Sequence, residues 1–274
     1  MRIVTHSLNH KRKKMPTILD KIIDCKRIEI EKSKRKISIK DLENKIQNVK
    51  KRQSFKESLQ RSSTGIIAEF KRRSPSRDWI FKDAKIEQII PCYSENGASA
   101  ISILTDTDFF GGNLQDLVNA QAITQTPLLR KDFMIDEYQL FEAKAYGASA
   151  ILLIAAALTV EKTKELAKQA KNLGLDVLLE LHHEKELDYI NEWVDVVGIN
   201  NRNLKTFVTD VQVSFYMVNK IPPEFLKISE SGISSSQTVK DLMLAGYKGF
   251  LMGENFMKTN NPGKALQDFI EELT

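Results

Sequence analysis

Cysteine is scarce in this sequence, and long apolar runs are missing. The 274 residues include two cysteines, Cys25 and Cys92, which form no CxxC pair; this excludes a cysteine-rich zinc site and indicates reduced thiols. The longest apolar run, 150–158, has nine residues, whereas a membrane-spanning helix needs about 20. The first residues lack the apolar core of a signal peptide. These absences predict a soluble protein of the cytoplasm with no membrane partner.

An excess of one charge is also missing from most of the chain. The formal net charge is +5, and residues 1–14 contain five basic side chains and no acidic one. The rest of the chain is therefore neutral overall, which argues against a nucleic-acid partner. We expect 1–14 to be a basic, mobile and passive extension rather than a functional arm.

Residues 15–64 have the pattern of helices and no strand signal. Apolar residues recur every three or four positions from Ile18 to Ile28, and again at Leu42 and Ile46. This spacing predicts two or three amphipathic helices, each with one face to bury. Helices of this kind can cover the open end of a larger core.

From residue 65 onward, eight short apolar runs alternate with amphipathic stretches. Eight strands, each followed by a helix, are typical of a closed parallel barrel. We therefore predict an α/β fold, a (β/α)8 TIM barrel over 65–274, which forms one domain together with the helical extension 15–64 over its mouth. The runs lie at 65–70, 98–105, 127–133, 148–155, 175–182, 194–200, 226–232 and 249–254.

Two further features favour a barrel over an open doubly wound sheet. GASAI occurs at 97–101 and again at 147–151, each time after a helix pattern, as expected of repeated βα units. The glycine of each copy suits a left-handed helix C-cap. An open sheet usually has a glycine-rich phosphate loop after its first strand, whereas KRRSPS follows here.

Charged and amide side chains interrupt the apolar runs at their C-terminal ends. Barrel enzymes place their active sites at this end, where the loops after all eight strands meet. Burying so many polar groups for structure alone would be costly, so we interpret them as functional rather than as structural salt bridges. The residues are Glu69, Lys71, Lys131, Glu180, Asn200 and Glu230.

Gly232 and Gly253 stand just after the seventh and eighth runs. Barrels commonly bind a phosphate group at these two loops with backbone amides, and glycine permits a close approach. Either glycine alone would be explained by a turn. As a pair at both expected positions, they predict a phosphate site.

Together, these motifs resemble the indole-3-glycerol-phosphate synthase family of tryptophan biosynthesis. The resemblance covers the chain from about residue 16 to its end, and its most specific motif is ExKxxSPS followed by LRKDF. The matching stretches are IIAEFKRRSPS (66–76), ILTDTDFFGG (103–112), PLLRKDFMIDEYQLFEAKAYGASAILLIAA (127–156), LLELH (178–182), GINNRNLKTF (198–207), ISESGI (228–233) and LMGENFM (251–257).

The resemblance implies a reaction and a role for each site residue. The family closes the ring of 1-(2-carboxyphenylamino)-1-deoxyribulose 5-phosphate to give indole-3-glycerol phosphate, with release of carbon dioxide and water. Lys131 would be the general acid, and Glu180 would be the acid/base of the dehydration. Glu69 would hold the lysines, and Lys71 would lie near the substrate carboxylate. The implied binding residues are Phe110 for the anthranilate ring; Asn200, Arg202 and Glu230 for the sugar hydroxyls; and Ser74, Ser231, Gly232, Gly253 and Glu254 for the phosphate.

The resemblance implies neither a metal ion nor an organic cofactor, because ring closure itself creates an iminium cation that accepts the electrons left by carbon dioxide. A lysine acid works best with a lowered pKa, which Lys71 would favour and nearby carboxylates would oppose; the sequence leaves this balance open. His182 and His183 are interpreted as an ordinary loop pair. Neighbouring side chains on a strand point in opposite directions, and no third metal ligand is evident.

One loop departs from the family pattern. After SPS the family usually has a lysine, a glycine and an aliphatic residue, whereas this chain has RDWI at 77–80. Asp78 tolerates a left-handed conformation better than most residues, so we expect the turn to persist. Trp79 would add bulk near the barrel mouth.

Three alternatives stay open at this point. The isomerase barrel of the preceding pathway step would share the phosphate loops but lack the helical prefix and the ExKxxS motif. A catalytically silent barrel acting as a scaffold need not keep the acid and base residues. A basic nucleic-acid-binding protein is disfavoured by the neutral body of the chain. We expect a monomer that acts on a small phosphosugar–anthranilate substrate.

Overall fold

A computed structural model describes residues 16–50 and 52–274. The predicted basic extension, 1–14, lies outside the described residues. Three helices precede the first strand: α1 (Ile18–Lys36), α2 (Ile39–Ile46) and α3 (Phe55–Arg61). Each follows a serine or threonine whose side chain accepts a backbone N–H of the first turn. In α1 and α2 an aspartate completes a capping box. The predicted helical extension is confirmed.

Eight parallel strands close into a barrel, as predicted. They are β1 (Ile66–Phe70), β2 (Ala100–Leu104), β3 (Leu128–Lys131), β4 (Ala150–Ile154), β5 (Asp176–Leu181), β6 (Val196–Asn200), β7 (Leu226–Glu230) and β8 (Gly249–Met252). Strands adjacent in the chain pair with each other, and β1 closes the ring by pairing with β8. The register at the closure aligns Ile66 with Phe250.

Helices on the outside connect the strands. They are α4 (Ile86–Glu95), α5 (Leu114–Ile123), α6 (Glu137–Ala145), α7 (Val160–Asn172), α8 (Gln212–Met217), α9 (Ser236–Ala245), α10 (Glu254–Met257) and α11 (Pro262–Glu271). The glycines of the repeated GASAI motif, Gly97 and Gly147, have φ of 88° and 87°, which is the left-handed conformation that the sequence predicts. None of the helices in the described part of the chain is both long and apolar enough to cross a membrane.

One connection differs from the predicted helix pattern. Between β5 and β6 the chain forms a short 3₁₀ segment, Glu184–Tyr189, instead of an α-helix. The carboxylate of Glu186 accepts the backbone N–H of His182 at 2.6 Å, which turns the segment back onto the end of β5. The hydroxyl of Tyr189 donates to the carbonyl of Leu158. These two hydrogen bonds hold the short connection in place without an α-helix.

The helical extension covers both ends of the barrel, not the mouth alone. Ile18, Leu19 and Ile22 of α1 pack with apolar residues at the carboxyl ends of the strands. In contrast, Phe55 and Leu59 of α3 are fully buried and belong to the core inside the barrel. The hydroxyl of Ser58 donates to the carbonyl of Ser99, just before β2. The amino ends of the strands are therefore closed by α3, a placement that the sequence did not predict.

A buried ion cluster anchors α1 to the barrel. The ammonium group of Lys26 lies 2.9 Å from Asp132 and 3.1 Å from Asp106, and its side chain is 1% exposed. Asp132 follows the last residue of β3 and also contacts the guanidinium of Arg130. Burial raises the pKa of Asp132, but Lys26 and Arg130 outweigh burial and lower it to about 2. The cluster therefore fixes α1 beside the strand that ends in Lys131.

Candidate active site

A cavity of about 450 Å³ opens at the carboxyl ends of the strands. Its walls come from the strand ends, the loops that follow them and the apolar face of α1. Twelve of the thirteen predicted site residues line it, and Glu230 lies buried beside them, so the structure brings the whole predicted set together. The twelve are Glu69, Lys71, Ser74, Phe110, Lys131, Glu180, Asn200, Arg202, Ser231, Gly232, Gly253 and Glu254.

Two lysines and a glutamate form the innermost contacts. The ammonium group of Lys71 lies 2.6 Å from one carboxylate oxygen of Glu69, and that of Lys131 lies 3.6 Å from the other. Glu69 is nearly fully buried. Burial raises its pKa, but the two lysines outweigh burial and hold it below the usual value. Glu69 therefore carries a negative charge and holds both ammonium groups at the cavity surface.

The sequence left open whether the pKa of Lys131 is lowered or raised, and the nearby carboxylates raise it. Burial lowers the pKa of Lys131, but Glu69, Glu180 and Glu230 outweigh burial and raise it. Its ammonium group lies 3.9 Å from Glu230. Lys131 is therefore protonated before substrate arrives, which is the form that a general acid needs. A substrate that weakens these carboxylate contacts would lower the pKa and release the proton more readily.

Glu180 and Glu230 face each other with opposite protonation preferences. Burial raises the pKa of Glu180, but His182, Lys131 and Asn200 outweigh burial and lower it. Burial and the charge of Glu180 raise the pKa of Glu230, and Lys131 offsets only part of the effect. Two close, buried carboxylates cannot both ionise cheaply, so ionisation favours Glu180 and protonation favours Glu230. Glu180 is then the ionised member.

The two predicted phosphate loops meet on one wall of the cavity. Ser231 and Gly232 have φ of 68° and 74°, so the loop after β7 turns in the left-handed region. A Cβ on Gly232 would lie 2.5 Å from a methyl group of Thr209. A Cβ on Gly253, which precedes α10, would lie 2.5 Å from a carboxylate oxygen of Glu69. Both positions therefore require glycine, and Gly253 links the phosphate wall to the lysine cluster.

Ion pairs and hydrogen bonds draw the loop after β1 towards the phosphate wall. Arg202 donates to the hydroxyl of Ser76 at 2.9 Å and lies 3.7 Å from the carboxylate of Glu254. Arg77 lies 3.3 Å from the same carboxylate. The loop therefore covers part of the cavity.

The unusual RDWI sequence of this loop forms a small hairpin. Arg73–Ser74 pairs with Asp78–Trp79, and Asp78 has φ of 54°, so the predicted left-handed turn is present. Trp79 does not line the cavity itself, although its neighbours Ser76 and Arg77 do. Its ring stacks with the guanidinium of Arg73 and covers Gly111, where a Cβ would lie 2.9 Å from the ring.

Another part of the cavity wall is apolar. Phe110 packs against Phe133 with ring centroids 6.1 Å apart, and both lie in the core that includes Ile18 and Ile22 of α1. Such a surface suits the flat face of an aromatic ring. The sequence pattern of α1 predicts an apolar face, but it did not identify these residues as part of the cavity wall.

His182, which sequence reasoning set aside, is the main polar residue that was missed. Its ring lies 3.3 Å from Glu180. The spacing was a signal in the sequence, because residues two apart along an extended chain point to the same side, although β5 itself ends at Leu181. Within residues 16–50 and 52–274, no group of three or more histidine, cysteine, aspartate or glutamate residues is arranged to hold a metal ion.

Comparisons with known proteins identify the same family that the sequence motifs resemble. A family model described as indole-3-glycerol phosphate synthase matches residues 19–269. A protein of that name from Bacteroides thetaiotaomicron is 53% identical over 259 residues, which cover 94% of this chain and 100% of the relative. One from Prochlorococcus marinus (strain MIT 9515) is 42% identical over 92% of this chain and 89% of the relative.

Solved structures support the fold alone. The 3-hexulose-6-phosphate synthase of Salmonella typhimurium has a TM-score of 0.60 at 14% identity, covering 76% of this chain and 98% of that protein. A mutant tryptophan synthase α-subunit of Pyrococcus furiosus has a TM-score of 0.57 at 17% identity, covering 77% and 98%.

Proposed function

The chain belongs to the indole-3-glycerol phosphate synthase family and has that family's activity, a decarboxylating lyase reaction in tryptophan biosynthesis; we propose how its residues perform it. The observation that carries the proposal is the position of Lys131. Its ammonium group reaches the cavity between the carboxylates of Glu69 and Glu230, at 3.6 Å and 3.9 Å. Lys131 therefore lines the same cavity as Gly232 and Gly253, where we place the phosphate, and Phe110, where we place the aromatic ring.

The substrate has a phosphate at one end and a carboxyphenyl group at the other, which fixes its direction in the cavity. The phosphate binds the backbone amides around Gly232 and Gly253, and the aromatic ring binds beside Phe110. Lys71 then faces the substrate carboxylate. Because Lys71 and Lys131 are both held by Glu69, the carboxylate and the reacting ketone lie on the same side of the bound molecule.

Ring closure is the first chemical step. The ring carbon that bears the carboxylate attacks the ketone carbon, and Lys131 gives its proton to the ketone oxygen. The nitrogen lone pair moves into the ring system and leaves an iminium cation. The bond to the carboxylate then breaks, carbon dioxide departs, and its electron pair neutralises the iminium. These steps consume one proton from Lys131 and leave a hydroxyl group on the ring.

Dehydration completes the indole ring. The hydroxyl leaves with its bonding electrons, and the adjacent methylene carbon loses a proton, so that a double bond forms between the two carbons. Glu180 is ionised by its surroundings and takes the methylene proton, which it can return to the departing hydroxyl as water. This step therefore needs no net proton from solvent.

We also propose that one copy of 15–274 is sufficient as the working unit. The strand ends, the loops after them and α1 of one chain line the cavity, and α1 contributes Ile18, Leu19 and Ile22. A monomer would therefore hold a complete site.

A direct assay tests the proposed chemistry. The purified protein is incubated with 1-(2-carboxyphenylamino)-1-deoxyribulose 5-phosphate, and the indole fluorescence of the product is followed with time. We expect turnover in the parent and a loss of about 10²- to 10⁴-fold in kcat for Lys131→Met, the range typical of general acid catalysis. A catalytically silent barrel would give no fluorescence, and an unaffected Lys131→Met variant would refute the assignment of the acid.

A further inference from the structure

The ring of His182 lies between two carboxylates at the end of β5. Its Nε2 is 3.3 Å from Oε1 of Glu180, and its Nδ1 is 3.6 Å from Oε2 of Glu186. The side chain is 9% exposed. Within the described part of the chain, neither nitrogen has an aligned hydrogen bond, so both contacts are at ion-pair distance rather than hydrogen bonds. The same carboxylate of Glu186 accepts the backbone N–H of His182 at 2.6 Å, which fixes its place beside the ring.

This arrangement determines the charge of the imidazole. A neutral imidazole has one N–H and one lone pair, and the lone pair would face a carboxylate on one side of the ring. Only the imidazolium presents an N–H to both sides. Burial lowers the pKa of His182, but Glu180 and Glu186 outweigh burial and raise it to about 10.

The remaining groups around Glu180 do not replace this contact. Lys131 faces Glu180 from β3, Asn200 from β6 and Glu230 from β7. However, Lys131 is shared with Glu69 and Glu230, and Asn200 is neutral. A neighbouring cavity is lined by His182 together with the charged or titratable residues His183, Glu186, Arg202, Lys205 and Asp210. Among the described residues, His182 is the cation that contacts Glu180 without contacting Glu69 or Glu230.

We propose that His182 is a positioning residue whose imidazolium, held by Glu186, keeps the Glu180 carboxylate ionised and aimed into the cavity. The proposal rests on the proposed function of Glu180 as the base of the dehydration. Without the imidazolium, Glu180 would be protonated more readily. A protonated Glu180 could not accept the methylene proton in the dehydration step.

The first test uses the pH dependence of turnover. We expect His182→Gln to lower kcat at neutral pH by about 10- to 100-fold, the size of effect that a displaced catalytic group produces, and to leave KM nearly unchanged. The acid limb of the kcat profile should move to higher pH by about one unit or more, since Glu180 loses a cation. A charge-retaining His182→Lys variant should return the limb towards its parental position.

The matched control is His183→Gln, which changes an exposed neighbour that contacts Glu186 and not Glu180. Its kcat and pH profile should match the parent. An unmoved acid limb in His182→Gln, or an equal shift in the control, would overturn the proposal. A uniform loss of kcat at every pH would indicate a structural role and would overturn it as well.

The second test needs no turnover and separates the two proposals. The chain has four histidines, so the ring resonances of the labelled full-length protein can be followed by NMR, and His182→Gln assigns the relevant one. We expect the His182 ring to remain protonated at pH 8, and Glu180→Gln to lower its pKa. A neutral ring at pH 7, or no response to Glu180→Gln, refutes the inference even if the protein is an active synthase. If turnover is absent but Glu180→Gln still lowers the pKa of His182, the proposed function fails, whereas the charged contact between His182 and Glu180 is confirmed.

Discussion

Replacement of Lys26 by methionine should destabilise the protein, because it removes the cation of a buried ion cluster. The substitution keeps most of the side-chain volume but removes the ammonium group that lies 2.9 Å from Asp132 and 3.1 Å from Asp106. Both aspartates are buried, so two carboxylates lose a partner where water cannot replace it. Removing one member of a buried ion pair costs about 3–5 kcal/mol.

The lower end of that range applies here, because Arg130 still contacts Asp132 at 3.3 Å. Each kcal/mol lowers the Tm of a domain of this size by about 2–4 °C, so we expect a decrease of about 6–12 °C. Kcat/KM should also fall, since Ile18, Leu19 and Ile22 of the same helix line the cavity. Thermal unfolding followed by circular dichroism measures the first effect, and the fluorescence assay measures the second.

Arg27→Met is the matched control, because Arg27 pairs with Asp24 on the exposed side of the same helix. Exposed pairs contribute at most about 1 kcal/mol, so its Tm should stay close to that of the parent.

The loss of stability in Lys26→Met should depend on pH with a definite sign. In the parent the pKa of Asp132 is lowered to about 2, so its stabilisation is present above the unfolded pKa and is lost as pH falls through the folded one. The Lys26→Met deficit should therefore be large at pH 7 and shrink as pH falls. Equal Tm values for the two variants at pH 7 would refute the reasoning.

Further predictions concern the cavity and the basic extension. Lys131→Met should leave KM within about tenfold of the parent while kcat collapses; a kcat within threefold of the parent, about the scatter of such assays, would contradict its role. Lys71→Ala should raise KM together with any loss of kcat, and an unchanged KM would count against its contact with the carboxylate. Gly253→Val should weaken competition by inorganic phosphate and also lower kcat, because its Cβ would lie 2.5 Å from Glu69; a normal KM in a folded variant would place the phosphate elsewhere. Removal of 1–14 should leave kcat/KM unchanged at low and high salt, and a loss confined to low salt would reveal electrostatic steering.

The barrel could be predicted from the sequence because each strand has its own signal. The apolar runs repeat eight times, turn glycines mark several of the connections, and polar residues end five of the eight runs. The same signals located Glu69, Lys131 and Glu180, since parallel strands in a closed barrel bring their carboxyl ends together. For these residues, local pattern and global fold give the same answer.

The features that the sequence did not predict depend on distant partners. The pattern of α3 shows that Phe55 and Leu59 need burial, but it does not show which end of the barrel will bury them. Lys26 looks like one more lysine of a basic helix until Asp106 and Asp132 are placed against it. The charge of His182 likewise follows from two carboxylates around a ring, and not from its neighbour in the sequence.

The closure of the ring between β1 and β8 has a consequence for the order of assembly on the ribosome. Ile66–Phe70 is synthesised before the six barrel strands that separate it in sequence from its partner Gly249–Met252. Until that partner is synthesised, the growing sheet presents two open edges, which are sites for pairing with other chains. Leu59 must wait as well, because its inner neighbours include Ile228. A chain that ends before residue 249 should consequently aggregate rather than form a smaller barrel. Pairing of the last strand with the first is therefore required for a folded, soluble product.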